Sequence, residues 1–394
     1  MSPDIQTFLE HNYGPNLMVV CIAIVLSYLL NHKVKTVPVA IFTLLISIMF
    51  FQMELVEHMH IDSQISVTFG FAGLIGLSIA MIPIGLEIQD FSVFVKPKFI
   101  AIISMIVGVS LLLACFISME SYEKTIGYAA LLLTSSLAVL NVFIQVRPKI
   151  LHTNLVKLAM PIGFTTDCVL WIIISLLKIN HEVGISLESV MPQLIVLFGS
   201  MLVVFLGVKW WWNIVPKHLN IGIWVWVGSG IAFAFYAVGF SPVLGAIFGG
   251  LVVPSHIKHK FAHEYNKLFD FAMVFYMASV GFKIHELIDL ESFKMAIEII
   301  LLTSIVKFLG IKYSGLFGSR EIAPALYILG NGGTMLIAAG IALSSTLSDG
   351  TSILPHNTSV VVAIVACLYT VAAAIYFQKN PIEVDEHLVP SEAH

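Results

Sequence analysis

The chain has 394 residues, of which 58% are hydrophobic and only 11% charged, against roughly one quarter charged in a soluble domain. That balance excludes a soluble globular protein, and no polar stretch between the apolar runs is long enough to fold as a separate domain. The net charge of -4 conceals no basic patch, because Lys and Arg fall in short connections along the whole chain, and a nucleic-acid surface is excluded with it. What remains is an all-α integral membrane protein with one transmembrane domain, 1–394.

Apolar runs long enough to cross about 30 Å of hydrocarbon recur from end to end. Hydropathy places spans at 17–31, 37–52, 66–88, 97–117, 126–145, 153–178 and 190–209, then at 220–239, 241–254, 267–283, 294–315, 322–345 and 357–378, about thirteen in all. The first follows Asp4 and Glu10 rather than a basic stretch and lacks a small-residue cleavage pattern, so it reads as a retained span and not a signal peptide. Glu87, at the inner end of the third span, is a candidate funnel residue, although an acid at a helix end is more often simply interfacial. Trp210, Trp211 and Trp212 follow the seventh span and read as a membrane-interface belt. His256, His259 and His263 follow the ninth; histidine titrates near neutrality, so they are candidate pH sensors, beside the plainer reading of a basic inner loop. Cys21, Cys115, Cys168 and Cys367 all fall in apolar spans without metal-ligand spacing and read as small buried side chains. After Gln378 comes a short acidic tail with Glu383, Asp385 and Glu386.

Basic residues mark every second connection: Lys33 and Lys35, Lys96 and Lys98, Arg147 and Lys149, Lys209 and Lys217, Lys258 and Lys260, then Arg320. The alternate connections are acidic, with Glu54, Glu57, Glu120, Glu123, Glu182, Glu188, Glu286 and Asp349 among them. The positive-inside rule then puts the N-terminus outside and the C-terminus in the cytoplasm, as an odd number of spans requires. The membrane implied is the inner (cytoplasmic) membrane of the cell.

Two spans carry interruptions near their midpoints. The fifth contains Thr134, Ser135 and Ser136, and the twelfth contains Gly330, Asn331, Gly332 and Gly333. Consecutive hydroxyl residues offer the backbone competing hydrogen bonds, and glycines give it excess freedom, so both runs weaken a helix. The charge alternation gives spans 4 to 6 and 11 to 13 opposite orientations, the arrangement of an inverted repeat. Breaks at matching places in two inverted halves point to a midplane site where freed carbonyls and half-helix ends hold an ion. Small residues that merely let helices pack closely are the blander reading of either break alone.

Asp167 and Lys307 are the deepest charges in the chain. Asp167 lies about 14 residues into span 6, about 20 Å from its inner end, and Lys307 lies comparably deep from the outer end of span 11. Each would cost about 2.5 to 3.5 kcal/mol at the bilayer centre on insertion scales, so both should face the protein interior, and the obvious partner of each is the other. A buried ion pair that only orients the repeats is the structural alternative. Functionally, a carboxylate between two broken helices holds either a proton or a small cation, since each neutralises the charge that attracts the other. Burial and a nearby ammonium act on its proton affinity in opposite senses and together can bring titration near working pH. Thr166 can add a hydroxyl oxygen, and hard monovalent cations prefer oxygen ligands.

These residues resemble a known family, the monovalent cation:proton antiporters of the sodium/hydrogen exchanger superfamily, and its bacterial second branch in particular. LLTSSLAVLNVFIQ (132–145) is similar to that family's fourth conserved helix and PIGFTTDCVLW (161–171) to the next, which holds the ion-binding acid. SPVLGAIFGGLVVPSH (241–256) resembles its small-residue helix, LFDFAMVFYMASVGFKI (268–284) the span ending in an SVG-type turn, and IPIGLEIQ (82–89) its G-[LM]-E signature. The resemblance covers residues 15 to 378 and implies a sodium/proton antiporter fold with inverted repeats and two crossed, broken helices. It implies a homodimer in which a core (97–178 and 294–378) moves against a dimerisation part (15–88 and 220–283) beyond a linker helix at 190–209. It also implies a secondary active antiporter, not an enzyme, exchanging Na⁺, Li⁺ or K⁺ for protons by alternating access, without a cofactor.

The chain departs from the family in three places. Electrogenic sodium exchangers have two adjacent acids where this chain has Thr166 and Asp167; potassium-efflux members share the single acid after a polar residue but carry a large nucleotide-binding domain; and GNGG stands where many members have an Arg-Gly-Glu type motif. One acid implies one-for-one exchange, unless Lys307 also carries a proton. Candidate site residues are therefore Asp167, Thr166 and Lys307, with Thr134, Ser135, Ser136 and Asn331 as further ligands at the breaks. The competing readings are a non-transporting or channel-like descendant of the same fold, and an aspartyl hydrolase using Asp167 and Asp270, which the interfacial position of Asp270 disfavours.

Overall fold

In the computed structural model of the chain, residues 13–33, 39–52, 91–118, 122–135, 154–183, 187–209, 221–253, 271–278, 290–330 and 356–379 are described, with isolated positions between them. Their helices are α1 (Tyr13–Lys33), α2 (Val39–Gln52), α3 (Pro97–Ile117), α4 (Tyr122–Leu133), α5 (Asn154–Val183) and α6 (Leu187–Lys209), then α7 (Ile221–Ala237), α8 (Pro242–Val252), α9 (Leu290–Ser314), α10 (Ile322–Leu329) and α11 (His356–Lys379). A single 3₁₀ turn, Phe91–Val95, leads into α3, and no strand occurs among the described residues. The described parts of the predicted third span, 76–85, and tenth span, 271–281, are helical too, while the second halves of the fifth and twelfth spans lie outside the described residues.

Helix starts follow local chemistry. Pro97 at the first position of α3 and Pro242 at that of α8 supply a preset φ where an N–H has no helical partner anyway. Ser241 completes the second start, its Oγ accepting the Val243 N–H at 3.3 Å.

The faces of the helices show which solvent they meet. In α6, Met191, Ile195, Phe198, Leu202 and Leu206 are all exposed and lie three or four residues apart, so a whole apolar stripe points outward. Such a stripe is a liability in water and the ordinary surface of a protein in hydrocarbon. Pro97–Ile117 and Leu155–Leu177 are both long and apolar enough to cross a membrane. Only 22% of the first is buried against 61% of the second, so α3 rims the bundle and α5 runs through its middle. Around α5 pack α4, α3 and α10, while α9 lies against α3, α4, α10 and α11.

A second cluster of contacts joins α7 to α8. Their axes approach through glycine: a Cβ on Gly245 would stand 2.7 Å from the Ala232 Cα, and one on Gly249 would collide with the Gly228 Cα. Gly230, on the same helix as Gly228, faces open space. Gly249→Ala should therefore lower the thermal stability of the detergent-purified protein by about 1–3 kcal/mol, the usual cost of overpacking, in a melting experiment. Gly230→Ala should be neutral or stabilising by up to about 1 kcal/mol through helix propensity.

Candidate functional site

The site begins where α4 stops. Past Leu133 the backbone tightens, the Thr134 N–H reaching the Leu131 carbonyl at 3.2 Å and the Thr134 hydroxyl donating to the same carbonyl at 2.9 Å. A side chain that competes for its own helix's carbonyls favours such an exit. Leu133, Thr134 and Ser135 are all buried, so backbone groups released there must find partners inside the protein.

They find the two deepest charges. The Lys307 Nζ, reaching from α9, donates to the Leu133 carbonyl at 2.9 Å. On the other side the Ser135 N–H donates to Asp167 Oδ1 at 3.1 Å, and the Ser135 hydroxyl to Asp167 Oδ2 at 2.8 Å, with Asp167 carried by α5. Asp167 and Lys307 are both fully buried. The ammonium thus meets the carbonyl end of a helix, where the helix dipole is negative, and the carboxylate meets donors.

The two charges act on one another through space, as the sequence led one to expect, while their hydrogen bonds go to the stretch 133–135, which is bonded to both. The physical reason is that a broken helix in a dry interior presents its own donors and acceptors, and these need the charges as much as the charges need them.

The helix α5 shapes the other wall. Pro161 sits inside it and lacks an N–H, which leaves the carbonyl four residues earlier without its helical donor. The carbonyls of Pro161, Ile162 and Gly163 each receive a hydroxyl: Thr165 Oγ1 donates to the Pro161 carbonyl at 2.8 Å, and Thr166 Oγ1 lies 3.1 Å from the Ile162 carbonyl and 2.9 Å from that of Gly163. The Ser135 Oγ is 3.2 Å from the Gly163 carbonyl as well. Its single proton therefore has two acceptors, Gly163 O and Asp167 Oδ2, and serves one at a time.

Ser135, Thr166 and Asp167 are thus brought together, with Lys307 held two residues away along the chain at Leu133. Thr134 is spent on ending its own helix. Ser136, Asn331, Glu87, His256, His259, His263 and Asp270 lie outside the described residues. At the second break α10 ends at Leu329, and Gly330 turns to extended backbone with φ -71° and ψ -156°. Sequence reasoning missed the Leu133 and Gly163 carbonyls. A signal existed for the second: Gly163 is four residues before Asp167, on the same helix face, and two after an intrahelical proline.

The buried oxygens of Asp167, Ser135, Gly163 and Thr166 form a continuous series, each within 3.2 Å of the next. An all-oxygen set with a single carboxylate suits a hard cation of low charge. Among the described residues no group of three His, Cys, Asp or Glu side chains forms a transition-metal site.

A model of the family described as "Sodium/hydrogen exchanger, transmembrane" matches residues 19–379. No curated protein matches the chain. Among solved structures, the chain is similar to the sodium proton antiporter MjNhaP1 from Methanocaldococcus jannaschii, imaged by electron microscopy. The TM-score is 0.65 and the identity 17%, over 92% of this chain and 95% of that one, which speaks for the fold.

The shared break makes a thermodynamic prediction. In a double-mutant cycle of Asp167→Asn and Lys307→Met, followed by thermal unfolding in detergent, the double variant should be less destabilised than the sum of the single ones, with a coupling of about 0.5–3 kcal/mol. Strict additivity would show that residues 133–135 do not link the two charges.

Proposed function

The chain belongs to the sodium/hydrogen exchanger family, whose members are membrane-embedded secondary transporters and not enzymes, and on that premise we propose that it exchanges Na⁺, Li⁺ or K⁺ for protons at Asp167 by alternating access. The observation that carries this reading is the double hold of Ser135 on a fully buried Asp167, at a helix break lined by oxygen atoms.

The chemistry follows from charge balance. An unneutralised carboxylate is costly to carry through a bilayer, and a bound proton or a bound monovalent cation removes that cost equally well. A site that crosses only when neutralised, and that has room for one neutraliser, couples the two fluxes. When Asp167 is ionised the Ser135 hydroxyl donates to it. When a proton sits on the carboxyl the same hydroxyl can accept it and turn its own hydrogen to Gly163 O, 3.2 Å away. When a cation sits there, the lone pairs of Ser135, the Gly163 carbonyl and Thr166 supply oxygens beside the carboxylate.

Lys307 keeps its ammonium on the Leu133 carbonyl throughout this cycle and serves as a fixed charge that holds the break. With a single titrating carboxylate, exchange is one for one and electroneutral. The carrier is a homodimer in the inner membrane with its N-terminus outside and its C-terminus in the cytoplasm. The core, 97–178 and 294–378, moves against 15–88 and 220–283.

Proteoliposomes with a trapped pH dye test this. Addition of Na⁺, Li⁺ or K⁺ in turn should move protons with the wild-type protein and leave Asp167→Asn silent. Silence of the folded wild type toward all three ions would favour a non-transporting descendant of the fold. Because proton and cation compete for one site, the apparent KM for the cation should rise about tenfold for each unit by which pH falls below the carboxyl's titration point. Ser135→Ala, which keeps the backbone N–H but removes one of the oxygens beside the carboxylate, should raise that KM about ten- to hundredfold, the worth of an interaction with a charged group.

A further inference from the structure

The second broken helix ends on a side chain that none of the charged residues accounts for. α10 stops at Leu329. A carbonyl of its last turn, Leu326 O, accepts the Tyr369 hydroxyl at 3.1 Å, from α11. The same hydroxyl fills the space beside Gly330, where any Cβ would collide with both Tyr369 Oη and Leu326 O. Glycine at the break and tyrosine opposite it are therefore fitted to one another.

Tyr369 lies near the middle of α11 as Asp167 lies near the middle of α5. Both helices are the third members of the two inverted repeats read from the sequence. In each, the side chain at this depth meets the neighbouring broken helix: Asp167 meets Ser135 past the end of α4, and Tyr369 meets Leu326 and Gly330 at the end of α10. The Tyr369 ring also meets Tyr327 of α10, centroids 6.0 Å apart, and Tyr327 stacks on Tyr376 at 4.3 Å. α10 in turn lies against α5, the helix of Asp167.

We infer that Tyr369 is a positioning residue for cation exchange: its hydroxyl fixes the broken end of α10 and is the uncharged counterpart, in the second repeat, of the Asp167–Ser135 contact in the first. A hydroxyl suffices because the group it meets on α10 is a carbonyl, which takes a neutral donor. A second buried charge there would cost about 2.5–3.5 kcal/mol on insertion scales and would spoil the charge balance at Asp167. Phenylalanine would fill the same space and remove the bond that ties the Leu326 carbonyl to α11.

The consequence for transport rests on the antiport reading, so two readouts are needed, one of which is independent of transport. In the purified full-length protein, Tyr369→Phe should raise amide hydrogen exchange of the segment 322–330 several-fold while leaving exchange of α3 unchanged. In proteoliposomes it should raise the KM for the transported ion among Na⁺, Li⁺ and K⁺ about fivefold, the loss of one neutral hydrogen bond, with maximal rate within about twofold of wild type. Gly330→Ala, which disturbs the contact from the other side, should do the same, and the double variant should be no worse than the poorer single one. Unchanged exchange at 322–330 together with an unchanged KM overturns the inference. So does an equal loss of stability and maximal rate at constant KM, since that marks a purely structural tyrosine. Should wild type move no protons while exchange at 322–330 still rises in Tyr369→Phe, the antiport reading falls and the contact stands.

Discussion

A helix that ends in the buried interior of a membrane protein releases backbone donors and acceptors where no water can take them, and the candidate site of this chain follows from how residues 133–135 are satisfied. The released carbonyl of Leu133 goes to an ammonium and the released amide of Ser135 to a carboxylate. Each unsatisfied group would cost on the order of several kcal/mol in hydrocarbon, comparable to the cost of each buried charge taken alone. Putting charge against broken backbone meets both debts with one set of contacts.

That solution differs in kind from a buried salt bridge. Two opposite charges in direct contact stabilise one another in a single arrangement, and a cation entering between them has to displace the ammonium. Here the ammonium is occupied by a carbonyl, and the carboxylate's partners are a backbone N–H and a rotatable hydroxyl. The hydroxyl can reverse its role from donor to acceptor without moving its oxygen, so the carboxylate can change its occupant while the surrounding backbone keeps its shape. A single acid preceded by Thr166, in place of two adjacent acids, suits such a site, because the neighbouring oxygens come from a hydroxyl and a main-chain carbonyl and carry no charge of their own.

The rest of the described structure separates into parts that hold still and parts that meet lipid. Glycine-to-glycine contact between α7 and α8 leaves no side chain to rearrange between the two axes, and packing at that closeness is a source of helix association that does not depend on water. The outward stripe of α6 and the exposed residues of α3 offer no specific partner and slide easily against hydrocarbon.

Much of this was legible before any coordinates. Composition fixed the membrane class, and spans at 97–117, 190–209 and 357–378 fall within a few residues of α3, α6 and α11, because hydropathy over twenty residues is a sum that tertiary contacts hardly alter. The ends of α4 at Leu133 and of α10 at Leu329 were readable for a different reason: the hydroxyls and glycine that follow weaken a helix through their own local chemistry. The depth of Asp167 and Lys307 was readable from counting alone. Their partners were not. Every residue carries a carbonyl and nearly every one an N–H, so sequence has no mark for the one carbonyl, Leu133 or Gly163 or Leu326, that will face a side chain from another helix. Residue identity determined which groups this chain must satisfy; only the packing of α5, α9 and α11 around the two broken ends decided which group satisfies which, because that choice depends on distance between segments far apart in the chain.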